Sequence, residues 1–116
     1  MSSTSVFEGA RPNIFELLAR IRERPSMYLG HDDGEHVRER MMVLGAMLSG
    51  YGHALDQLGF DDVNTNFARD LGQFIQPKLG YGNEIGPVFA ALKHNPEKPL
   101  EQFWQFVDEF RAARGL

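Results

Sequence analysis

Apolar residues recur along this chain at the spacing of an α-helix, and nowhere with the alternation that a half-buried strand requires. Ile14, Leu17, Leu18 and Ile21 fall at i, i+3, i+4 and i+7, one stripe of a helix opened by Pro12 and Asn13. Pro25 disfavours helical geometry in the residue it follows, so this helix ends before it. Val37, Met41, Leu44, Leu48, Tyr51, Leu55 and Leu58 then mark the inner face of a long helix from about Glu35 to Leu58. Asp32 and Asp33 stand where a helix cap and the positive end of the helix dipole favour acids, and Gly59 closes the segment. Gly45, Ser49, Gly50 and Gly52 thin this helix, at a propensity cost of about 1 kcal/mol per glycine. Either another backbone approaches closely there, or the helix breaks near Gly50 into two shorter ones.

A third helix runs from about Thr65 to Leu79, with Phe67, Leu71, Phe74 and Ile75 inward and Pro77 weakening its last turn. The loop "LGYGN" follows, then a short helix around Ile85 to Leu92 and the connector "NPEKP", whose Pro99 suits a first helical position. Leu100, Phe103, Trp104, Phe106, Val107 and Phe110 give the last helix a wide apolar face. Their spacing follows the helix period, which marks them as core rather than a cofactor box. The pattern predicts an all-α single domain, a compact bundle of four to five helices, with residues 1–11 as a flexible N-terminal tail.

At 116 residues the chain is large enough to bury roughly two-thirds of its unfolded surface in one core. No apolar run approaches the ~20 residues of a membrane span, and "MSSTSVFEG" has neither a basic nor an apolar region of the kind a secretion signal needs. The absence of cysteine excludes disulfides and thiolate chemistry and fits a cytoplasmic protein. A formal net charge of -4 argues against general nucleic-acid binding, which leaves a basic stripe on the surface, and is compatible with a basic protein partner.

The densest chemistry lies in "RIRERPSMYLG", Arg20 to Gly30. With the "HDDG" and helix that follow, it resembles the "VRKRPGMYIG" segment near the start of the gyrase B and topoisomerase IV type of ATPase, where the next helix supplies a catalytic glutamate and a magnesium-binding asparagine. Here Leu44, Gly45, Leu48, Ser49 and Gly50 occupy the stretch where those two groups are expected, so phosphoryl chemistry lacks its parts. Neither "GYG" forms a phosphate loop. The whole order, "RERP", "MYLG", a helix with a "GY" step, "F…FI…LG" and a closing "FWQFVDEF", is similar to small bacterial proteins of the RPxMYLG type. Such proteins are often encoded beside polymorphic or secreted toxins and are suspected of conferring immunity. That resemblance, from about Ile14 to Phe110, implies a cytoplasmic, non-enzymatic protein, without cofactor, that neutralises one cognate toxin by binding and occluding it.

The residues bear on the same role independently. Tyr28, Met27 and the arginines of the turn belong to the types enriched at binding hot spots. The expected division is that Met27 and Leu29 plug the gap between the first two helices while Tyr28 either caps backbone or anchors a partner. Arg20, Arg22 and Arg24 can pair either with Glu16 and Glu23 or with carboxylates of a partner. Asp32, Asp33, Glu35, Asp56, Asp61 and Asp62 concentrate acid at the two ends of the long helix; caps and solvated loops account for each singly, while the excess would steer and occlude a basic site such as that of a nuclease toxin. Tyr28, Asp32, Asp33, Glu35, Asp61 and Asp62 are therefore the candidate partner-binding residues. "HDDGEH" contains metal-ligand types but matches no metal-binding spacing, and His53 with Asp56 lacks a nucleophile, so no catalytic or metal residue is assigned. Two other roles compete: a nucleotide-binding protein built on the gyrase-like turn, and a homodimer joined through Tyr28, Trp104 or the glycine-lined helix face.

Overall fold

The computed structural model describes residues 12–30, 34–80 and 85–116, and every regular element within them is helical. The first, α1 (Ile14–Glu23), starts where Asn13 is extended and its side chain accepts a hydrogen bond from the Phe15 N–H. A second cap comes from far along the chain: Asn64 Oδ1 accepts from the Ile14 N–H at 2.8 Å. Two of the four amides that a helix start leaves without partners are thus satisfied. Pro25 ends α1 as expected, with Arg24 held at φ -135°.

The stretch after it differs from the expected turn. Pro25–Leu29 forms a five-residue helix, α2, whose first position takes a proline because the amide missing there would have no intrahelical partner. Gly30 terminates it at φ +89°. The five longer helices are the five expected: α3 (Val37–Gln57), α4 (Phe67–Leu79), α5 (Gly86–His94) and α6 (Pro99–Arg114) follow α1 and α2.

Helix α3 runs unbroken through its glycines. A Cβ on Gly52 would stand 2.8 Å from the Thr65 carbonyl oxygen, and one on Gly45 would touch Val88 of α5 at 3.8 Å. At Gly52 the missing side chain lets the α3–α4 loop close onto the helix, whereas a Cβ at Gly45 would make only ordinary van der Waals contact with α5 and nothing lies within 4 Å of Gly50. The C-terminus of α3 is closed by paired bonds, Phe60 N–H to the Leu55 carbonyl and Gly59 N–H to the Asp56 carbonyl, both 3.0 Å, with Gly59 at φ +89°. This is the Schellman arrangement, and it demands a residue that tolerates positive φ. Leu58, read from the pattern as inward, is 56% exposed because it caps α3 past its last packed turn. Asp32 and Asp33, expected as caps of α3, lie outside the described residues, as do residues 1–11 and most of the "LGYGN" loop.

One core draws side chains from each of the six helices among the described residues: Ile14 and Ile21 of α1, Leu29 of α2, Met41 and Leu44 of α3, Phe67 and Leu71 of α4, Ala90 of α5, and Phe103 and Phe110 of α6. Phe110 meets Phe67 and Phe74 edge-to-face, with ring centroids 5.9 and 5.7 Å apart. The aromatic face of α6 is therefore core. Arg22 does not pair within α1. Its guanidinium crosses to α6, forms a bidentate pair with Asp108 at 2.9 and 3.0 Å, and lies 5.6 Å above the Trp104 ring.

Candidate protein-binding surfaces

The helical form of α2 decides which of its side chains meet the core. Residues two apart on a helix point about 200° apart, so Met27 and Leu29 take opposite faces. Leu29 is buried, whereas Met27 is 66% exposed, which overturns the expectation that both plug the interhelical gap. Tyr28, between them, is half-buried and packs against the core. Met27 and Tyr28 line a shallow hollow of about 230 Å³ with Arg20, Glu23 and Arg24. An unbranched thioether, an aromatic ring and two guanidinium groups are thereby presented together, with one carboxylate among them.

The acidic candidates divide between the ends of α3. Glu35 is exposed just before its first residue, and Asp61 and Asp62 are exposed beyond its last. With 21 residues between, at about 1.5 Å rise each, the two groups stand about 30 Å apart. Asp32 and Asp33 lie outside the described residues. Asp61 and Asp62 also have local work. Asp62 Oδ1 accepts from the Asn64 N–H at 2.9 Å and the Thr65 N–H at 3.4 Å, and Asp61 Oδ1 accepts from the Asn66 side-chain amide at 2.9 Å. These bonds shape the loop that caps α1 and closes onto Gly52, and they leave the remaining carboxylate lone pairs facing solvent.

A second surface lies between α3 and α5. Met42, Gly45, Ala46 and Ser49 of α3 face Ile85 and Phe89 across a groove of about 270 Å³. Met42 is 51% exposed and Phe89 37%, although both are large and apolar. The sequence contains a signal for it, since Met42, Val43 and Ala46 extend the apolar character of α3 beyond its core stripe. A further cleft of about 340 Å³ is lined by Arg40, Lys98, Glu97 and Glu101, whose charges cancel. It favours neither sign of ligand.

His53 and Asp56 are both exposed on α3 and are not joined as an acid-base pair. Among the described residues no three histidine, cysteine or carboxylate side chains converge, and no helix is long and apolar enough to cross a membrane. Trp104 is buried beneath Arg22, so it is not presented to a second copy. Burial pushes the Tyr51 phenol above its ordinary value of 10.0, partly opposed by a hydrogen bond with the backbone of Asn13. Comparison with known proteins gives no matching family model, curated sequence or solved structure.

Proposed function

We propose that this chain works by binding another protein, as a cytoplasmic immunity protein that neutralises one bacterial toxin by occluding it. The observation that carries this is the presentation of Met27, 66% exposed, beside Tyr28 and the arginines of α1. These lie within "RPSMYLG", the stretch on which the resemblance to suspected immunity proteins rests, and the residues just before it. Methionine, tyrosine and arginine supply much contact area per side chain, and their enrichment at hot spots reflects it. The net charge of -4 favours encounter with a basic toxin.

A contact of about 800 Å² per partner is roughly 30 Å across, so one centred on Tyr28 extends about 15 Å in each direction. Pro25 of α2 shares a cleft with Val37, Arg40 and Met41 at the start of α3, so such a contact lies at the Glu35 end and leaves Asp61 and Asp62, about 30 Å further along α3, outside it. Those two acids act in encounter and in shaping their loop. The test is co-expression with the toxin encoded by the neighbouring gene, combined with isolation of the complex at moderate salt. Wild type is expected to restore growth and co-purify with the toxin in fixed stoichiometry. A Met27→Ala/Tyr28→Ala variant that keeps its cooperative melt should lose both. Protection that survives in this variant, or no complex with wild type, refutes the assignment.

A further inference from the structure

The face of α3 that lines the α3–α5 groove runs on beyond it to charges of opposite sign. Arg38, Met42, Ala46, Ser49, His53 and Asp56 are all exposed and recur every three or four residues, which places them on one face of α3. Arg38 and Asp56 are five helical turns apart, so they lie on one line of the helix about 27 Å from each other. Among the described residues neither forms an ion pair. The face between them carries Met42, 51% exposed, and then the small side chains of Ala46 and Ser49, with Ile85 just before α5 and Phe89 within it along its side.

We propose that this face binds a second copy of the chain, with the two α3 helices antiparallel about a two-fold axis near Ala46 and Ser49. A parallel arrangement would set like charges together. The antiparallel one sets Arg38 of each copy against Asp56 of the other, and two-fold symmetry makes the pair twice. Ala46 and Ser49 at the centre let the helix axes approach to the lower end of the 8–10 Å range of packed helices. Met42 is then covered by the facing helix, and the open side of the groove at Ile85 and Phe89 is closed. A helix face about 27 Å long and 10–12 Å wide covers roughly 300 Å², well below the ~800 Å² per partner of a stable interface. The dimer is consequently weak, forming in the micromolar range and above, and it uses none of the residues that line the Met27 hollow.

Sedimentation velocity of the full chain, from micromolar to millimolar concentration, tests the proposal. Wild type is expected to pass reversibly from monomer to dimer, and added salt should weaken the dimer. Met42→Glu should abolish it. Arg38→Glu and Asp56→Arg should each weaken it about tenfold, two attractive pairs becoming repulsive, and the two reversals combined in one chain should restore it. All three substituted side chains are exposed, and unchanged thermal melts confirm that each variant folds. A wild type that stays monomeric throughout, or a dimer indifferent to the single reversals or not recovered by their combination, overturns the proposal.

Discussion

Alanine at position 52 would place a Cβ 2.8 Å from the Thr65 carbonyl oxygen. Ordinary C···O contacts begin at about 3.3 Å, so the overlap is roughly 0.5 Å. The obstacle is main chain and cannot rotate aside. Thr65 is further held by its own hydroxyl, which donates to the Phe60 carbonyl at 3.0 Å, and by its N–H to Asp62. Relief requires α3 and the 60–66 loop to part. Overpacking of this kind costs about 1–3 kcal/mol, and the helix propensity recovered on replacing glycine by alanine offsets about 1 kcal/mol of it. Gly50 lies two residues away in the same helix and is exposed, and a Cβ added there would meet no atom within 4 Å. Gly50→Ala therefore gains the propensity alone and should stabilise the protein by about 1 kcal/mol. Propensity cancels between the two variants, leaving a difference of about 1–3 kcal/mol that reports the close approach itself. Urea unfolding followed by circular dichroism, with unchanged m-values, reads that difference directly. Equal stabilisation of Gly50→Ala and Gly52→Ala would refute the close approach of the loop to α3.

Phe110→Ala should cost about 3–5 kcal/mol, since the ring is fully buried between Phe67 and Phe74, and denaturant unfolding at low temperature measures the loss. Asp62→Ala, which leaves the Asn64 and Thr65 amides without their side-chain acceptor, should cost about 1 kcal/mol in the same assay. Arg22→Ala should cost no more than about 1 kcal/mol, because its pair with Asp108 is half-exposed and solvent screens it. For Tyr51 the folded state holds a phenolic proton that the unfolded chain releases at an ordinary value. Its contribution is present below that value of 10.0 and is lost as pH rises through the raised folded-state value. Stability measured on the alkaline side should therefore fall less steeply in Tyr51→Phe than in wild type.

The five longer helices were legible because each holds enough turns for its apolar stripe to show a period, from Ile14–Ile21 in α1 to Phe103–Phe110 in α6. Helix α2 was not. Five residues are too few to establish a period, and Pro25, which ends one helix, is also suited to begin another. The error in Met27 follows from that one, since only helical geometry turns Met27 away from the side that buries Leu29. The thinning of α3 by glycine correctly implied a close backbone approach. Which glycine receives it depends on how the 60–66 loop folds back, and that is set by Asp61, Asp62 and Thr65 through bonds among themselves and their neighbours. The Arg22–Asp108 pair spans 86 positions and leaves no mark in the local sequence, where Glu23 and Glu16 are nearer. Of the candidate binding residues, Tyr28 and Glu35 fall at one end of α3 and Asp61 and Asp62 at the other, a separation already implicit in the length of the helix between them.

The two proposed surfaces make a joint prediction that neither makes alone. The hollow at Met27 is lined only by residues of α1, α2 and Arg24 between them, and the groove at Met42 only by residues of α3, α4, α5 and Ile85 before it. They share no side chain, and substitutions at separate sites act additively when no partner is common to both. Met27→Ala should therefore weaken toxin binding and leave self-association unchanged, while Met42→Glu should abolish self-association and leave toxin binding unchanged at concentrations where the wild type is monomeric. Isothermal titration against the toxin and sedimentation of the chain alone measure the two effects in the same pair of variants. If Met42→Glu instead impaired toxin binding in the monomeric range, the α3–α5 groove would belong to the toxin interface, and the assignment of that interface to the α2 turn would have to be abandoned.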